Sequence, residues 1–152
     1  MNLILLLIFT LGFSYLVSYS STWYAYAYGA GTVINAAIIT LVIVLALSVF
    51  ACFTKGDFTD MLLFPIILIV LASFACFGFL CFLSWSPILY NLYCTLICIV
   101  AGIILLIDTQ MIIGGGRYEL GMDEYVFAAL ILYVDIMRLF LYILRAMGSK
   151  RR

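Results

Sequence analysis

The sequence predicts an all-α integral membrane protein, a bundle of about five transmembrane helices. Apolar residues make up 68% of the chain and charged residues only 9%, so a soluble fold would carry more apolar surface than it could bury. No acid or base occurs before Lys55, a distribution suited to lipid rather than water. A chain of 152 residues, at about 20 per span with short connections, holds roughly five or six helices in a single domain.

The first span is expected at about 3–18, closed by the run from Tyr19 to Tyr28, whose tyrosines and Trp23 suit a membrane interface. Small residues from Gly29 to Gly31 lead to a second span at about 32–53. The polar segment Thr54 to Asp60 returns the chain to water. A third span is expected at about 61–83, with Pro65 in its first turns, where proline is tolerated. Ser84, Trp85, Ser86 and Pro87 form a short turn before a fourth span at about 88–113. Gly114, Gly115 and Gly116 stop it, and they lack the surrounding residues of a phosphate-binding loop. Asp123 and Glu124 then favour the start of a fifth span, about 125–147, because acids oppose the positive end of a helix dipole.

Several functional classes are excluded or disfavoured. Histidine is absent, which removes the usual haem ligand, the commonest zinc ligand and the default general base. Cys52, Cys76, Cys81, Cys94 and Cys98 lie in apolar runs without a CxxC pair, the pattern of buried free thiols. Formal net charge is zero, and the only basic block is Lys150, Arg151 and Arg152, so no nucleic-acid partner is expected. The N-terminus lacks the positive flank of a secretory signal and the arginine-rich pattern of a transit peptide, and the first apolar run is expected to be a retained span. Arg145 and the basic tail place the C-terminus on the cytoplasmic or matrix side.

Two acids fall inside apolar spans, Asp108 in the fourth and Asp135 in the fifth. A charge at bilayer depth costs several kcal/mol, so both should face the bundle interior. In the fifth span Glu124, Ala128, Ile131, Asp135, Arg138, Tyr142 and Arg145 recur at helical spacing and form one polar stripe. In the fourth, Cys94, Cys98, Ala101, Leu105 and Asp108 share a face, and its small residues permit close approach of a neighbouring helix. If Asp108 and Asp135 meet, they would share one proton and form a proton-sensitive, cation-attracting centre. The competing expectation is that Arg138, one turn from Asp135, neutralises it within the helix. Lys55 and Asp57 suit a solvated turn.

Three segments in order resemble the transmembrane Bax inhibitor motif family, also called lifeguard proteins. Thr54-Lys55-Gly56-Asp57-Phe58-Thr59 resembles its TK-x-DFT turn, and Asp108-Thr109-Gln110 its DTQ segment. Tyr118-Glu119 with the stretches 123–130 and 132–136 resembles its final-helix signature, and Asn2 to Thr10 resembles the start of its third helix. The resemblance implies the last five helices of a seven-helix fold in which the final helix is ringed by the others. It also implies a pH-sensitive calcium leak attributed to an aspartate pair, matched here by Asp108 and Asp135, and a role in protection from cell death. Ile131 stands where the family usually has asparagine, and Arg138 where it has an uncharged polar residue.

The chain is therefore expected to be truncated relative to the seven-helix Bax inhibitor fold, with helices of other membrane subunits covering the groove left by two missing spans. On that expectation it is a non-conducting accessory or structural subunit of a larger membrane complex. The alternative is a pH-sensitive calcium leak channel using Asp108 and Asp135, with an anti-apoptotic or ion-homeostasis role. No enzymatic activity and no cofactor are expected. Ca2+ as a permeant ion and bound phospholipid stay open, as does the membrane: mitochondrial inner membrane or ER/Golgi.

Overall fold

A computed structural model describes residues 2–54, 87–113 and 125–149. They form four α-helices: α1, Asn2–Tyr28; α2, Ala30–Phe53; α3, Pro87–Ile113; and α4, Tyr125–Ser149. Each is long and apolar enough to cross a membrane. The expected third span, at 61–83, lies outside the described residues, as do Lys55 and Asp57.

The first helix continues beyond Ser18 to Tyr28. Hydroxyls that suggested an interface bond inward instead: Ser20 donates to the Leu16 carbonyl at 3.0 Å, Ser21 to Val17 at 2.8 Å and Thr22 to Ser18 at 2.9 Å. A hydroxyl satisfied by the preceding turn needs no water, so the helix is not obliged to end there. It ends at Gly29, the only described residue with positive φ, at 92°. A side chain would be strained in that conformation, and glycine allows a single residue to connect two long helices. Its N–H still reaches the Ala25 carbonyl at 2.9 Å, and its own carbonyl accepts from Thr32 at 3.1 Å. At the far end of α2, Thr54 closes the helix by donating both its N–H and its hydroxyl to the Phe50 carbonyl.

The last helix packs against all three others, and α2 packs against each of its neighbours as well. Both α2 and α4 thus meet every other described helix, while α1 and α3 meet only these two. It runs parallel to α1, since Tyr133 meets Ser14 and Gly148 meets Tyr24. It runs antiparallel to α3, since Asp135 meets Asp108 while Arg145 faces Tyr90. The core lies where α2, α3 and α4 converge: Ala36, Ala101, Leu105, Leu139, Ile143 and Leu144 are buried together. Thr32, Ala36, Thr40 and Ala51 are the buried residues of α2, and such small side chains let backbones approach where lipid gives helices little hydrophobic reason to associate. Thr40 remains satisfied by the Ala36 carbonyl at 2.7 Å.

By contrast, α1 contributes a narrow contact stripe and leaves Leu5, Leu7, Ile8, Leu11 and Leu16 exposed. In a bilayer these side chains face acyl chains, so their exposure carries no penalty. Among the described residues the backbones of α1 and α3 do not approach each other, so these two helices flank α4 without meeting. At about 100° per residue, Phe127, Arg138 and Arg145 fall within about 20° of one line, and all three are exposed.

The fold predicts a sharp contrast between two leucines. Leu139 is 1% exposed and Leu11 64%, so Leu139→Ala should lower unfolding stability in detergent by about 2–5 kcal/mol. Leu11→Ala should change it by less than about 0.5 kcal/mol. Comparable losses from both, in denaturant titrations, would contradict this assignment of the core.

Candidate functional site

Asp135 sits midway along α4 and is 5% exposed. Its helix face continues into Leu139 and Ile143, which are buried against α2 and α3. Burial of the carboxyl therefore follows from packing of the apolar residues one and two turns beyond it. Asp108, near the end of α3, is half-buried, and its carboxyl is within hydrogen-bonding reach of Asp135. The antiparallel arrangement brings the two to the same level. Carboxyls in this relation form a direct hydrogen bond only when one of them carries a proton.

The second oxygen of Asp135, Oδ2, is buried without a hydrogen-bond partner. This departs from the expectation that Arg138 holds Asp135 in an ion pair. Arg138 is exposed and acts on Asp135 only through space. Helix geometry accounts for the difference: three residues of advance turn the side chain by about 60°. The short Asp135 side chain is directed to Asp108 on α3, whereas Arg138 is exposed. The countercharge is therefore nearby without being a partner.

Next to Asp108, Thr109 is buried and donates to the Leu105 carbonyl at 2.6 Å. Its hydroxyl is used within α3 and leaves the aspartate pair undisturbed. Cys94 is buried and Cys98 half-buried, both as free thiols. Among the described residues no cluster of three or more His, Cys, Asp or Glu side chains is placed to hold a metal ion.

Two polar contacts join α1 to α4 and were not visible in the sequence. The Tyr133 hydroxyl lies 2.9 Å from Ser14 Oγ and donates to the Thr10 carbonyl at 3.3 Å, while its ring meets Phe13 edge-on at 6.0 Å. Toward the other end of the two helices, Arg145 lies near Tyr24. Ser14 and Thr10 share one face of α1, a weak signal of polar contact. Nothing local identifies Tyr133 or Tyr24 as their counterparts.

Together these features define a polytopic helical membrane protein with an acidic pair in its interior. Its lineage is equally plain. The chain belongs to the Bax inhibitor family: the family described as "Inhibitor of apoptosis-promoting Bax1" matches residues 1–152. It is similar to protein lifeguard 3 of Homo sapiens, with 29% identity over 151 residues, covering 98% of this chain and 47% of the relative. Mouse protein lifeguard 3 is 30% identical over 151 residues, covering 98% of this chain and 48% of the relative. The chain thus spans about half the length of these relatives.

Contact between the two aspartates is testable by a double-mutant cycle. Asp108→Ala and Asp135→Ala should be non-additive in unfolding free energy by about 0.5–3 kcal/mol, as for residues that touch. Strict additivity would mean that the carboxyls do not interact.

Proposed function

We propose that this chain forms a proton-sensitive, cation-attracting centre in the membrane, with the Asp108–Asp135 pair as its working element and Ca2+ as the permeant ion. The observation that carries this is Asp135 Oδ2, buried without a partner while the same carboxyl reaches Asp108. A buried polar atom with no partner costs free energy. A carboxylate kept in that state has coordination capacity to offer a proton or a cation. Losing the shared proton creates adjacent negative charges that repel each other and attract a cation, and regaining it removes that attraction. That Arg138 forms no ion pair with Asp135 among the described contacts supports the same reading, because a fixed cation bound to Asp135 would compete with a mobile one. The family's description as "Inhibitor of apoptosis-promoting Bax1" supports a role in restraint of cell death.

Reconstitution of the 152-residue chain in liposomes tests the proposal. Calcium flux should depend on pH in the wild type, and Asp108→Asn or Asp135→Asn should remove that dependence while the variants still insert and elute as folded protein. PH-dependent flux that survives in both variants would refute the role of the pair.

A second reading, that the chain is a structural subunit of a larger membrane assembly, is favoured by the exposure of Arg138 on α4. Arg138 lies about halfway along α4 and is exposed, with no ion-pair partner among the described residues. A charge facing acyl chains at that depth costs several kcal/mol. A helix presenting a carboxylate or polar side chain from another membrane subunit would relieve this cost. Crosslinking from position 138 in native membranes should then capture a protein partner. Capture of lipid alone would reject this reading and leave the proposal for the aspartate pair standing.

A further inference from the structure

Apart from the aspartate pair, one cluster brings side chains from three helices together at the same end of the bundle. Arg145 lies one turn before the end of α4, Tyr24 one turn before the end of α1, and Tyr90 in the first turn of α3. The guanidinium lies near Tyr24, Tyr90 and Cys94, close enough for their charges to act on one another. Arg145 is exposed, and it has no ion-pair partner among the described residues. Trp23 and Tyr26, 61% and 89% exposed, flank the cluster on α1, and such residues concentrate at the level of lipid headgroups.

Gly148 shows that this arrangement is built rather than incidental. A Cβ at that position would lie 2.6 Å from Tyr24 Cε1, 2.8 Å from its Cδ1 and 3.1 Å from Tyr28 Cε2. No side chain fits there without displacing the rings. Tyr24 and Tyr28 stack on each other at 5.7 Å, and this pair seats against the bare backbone of α4. The Tyr24 ring is thereby held against α4 about one turn from Arg145. A solitary interfacial arginine would simply extend into water and would need neither the glycine seat nor the stacked pair.

We propose that Arg145, Tyr24 and Tyr90 form a binding site for the phosphate of an anionic phospholipid headgroup. The guanidinium supplies the charge and two donors in fork geometry, which suits phosphate oxygens. The tyrosine hydroxyls add neutral donors from the flanking helices. On α1, Leu16, Tyr19 and Trp23 are exposed within about 12 Å of Tyr24 along the helix, and they give the acyl chains an apolar surface beside the cluster. A free phosphate ion would satisfy the donors but would leave that surface unused. This site is independent of the aspartate pair, lies at the bundle end rather than its middle, and requires no ion conduction.

The test uses the full chain in detergent micelles, titrated with phosphatidylglycerol or phosphatidylcholine and read by native mass spectrometry and thermal unfolding. Phosphatidylglycerol should stay bound and raise the unfolding temperature, and phosphatidylcholine should do so much less. Arg145→Gln should weaken phosphatidylglycerol binding by about tenfold or more, and Tyr24→Phe, which keeps the ring on Gly148, by about threefold. Lys150→Ala, Arg151→Ala and Arg152→Ala combined should leave this retention in place, separating the site from attraction to the basic tail. Folded Arg145→Gln that binds phosphatidylglycerol as the wild type does would overturn the proposal. If that variant does not fold, unchanged binding by Tyr24→Phe would do so. Complete competition by millimolar inorganic phosphate, or loss of binding in the tail variant, would equally overturn the assignment to a lipid headgroup.

Discussion

A carboxyl group in hydrocarbon has no water to turn to, and the architecture around Asp135 answers that constraint. The group must lie inside the bundle, so α4 must have neighbours on the side that carries it. Those neighbours must approach closely, which accounts for the small buried residues Ala36 and Ala101 on the facing helices. The antiparallel course of α3 then brings Asp108 to the same depth. The remaining core residues are arranged around this meeting point: Leu105 lies about one turn from Asp108, and Leu139 about one turn from Asp135.

Satisfaction of polar groups follows two patterns. Hydroxyls on α1, α2 and α3 mostly bond to the carbonyl four residues earlier, as Ser21, Thr40 and Thr109 do. Such groups are neutralised locally and put little constraint on the bundle. Tyr133, Arg145 and Asp135 instead depend on another helix. All three project from α4, so this helix collects polar obligations that its neighbours discharge.

Much of this was legible in the sequence because membrane constraints are severe. The apolar runs marked the described helices, and the cost of burying charge identified Asp108 and Asp135 as inward-facing before any coordinates. The alternating spacing in the fifth expected span also held a misleading element: Arg138 shares the polar stripe but diverges enough to leave the interior. Spacing reports the angle between two side chains, whereas pairing depends on which neighbour each one meets. The end of α1 misled for a different reason, since residues that suit an interface also suit a helix when their hydroxyls bond backward. Contacts such as Tyr133 with Ser14 had no local signature, because the two residues are separated by 119 positions.

The one-residue link at Gly29 governs how the first half of the bundle can be made. The ends of α1 and α2 are tied at one depth, so neither helix can be threaded into the bilayer while the other waits in water. They must enter as a closed pin, before α4 is available to meet either. A substitution at Gly29 would therefore act first on biogenesis, leaving less inserted protein, with any effect on the finished bundle appearing only in the fraction that reached the membrane.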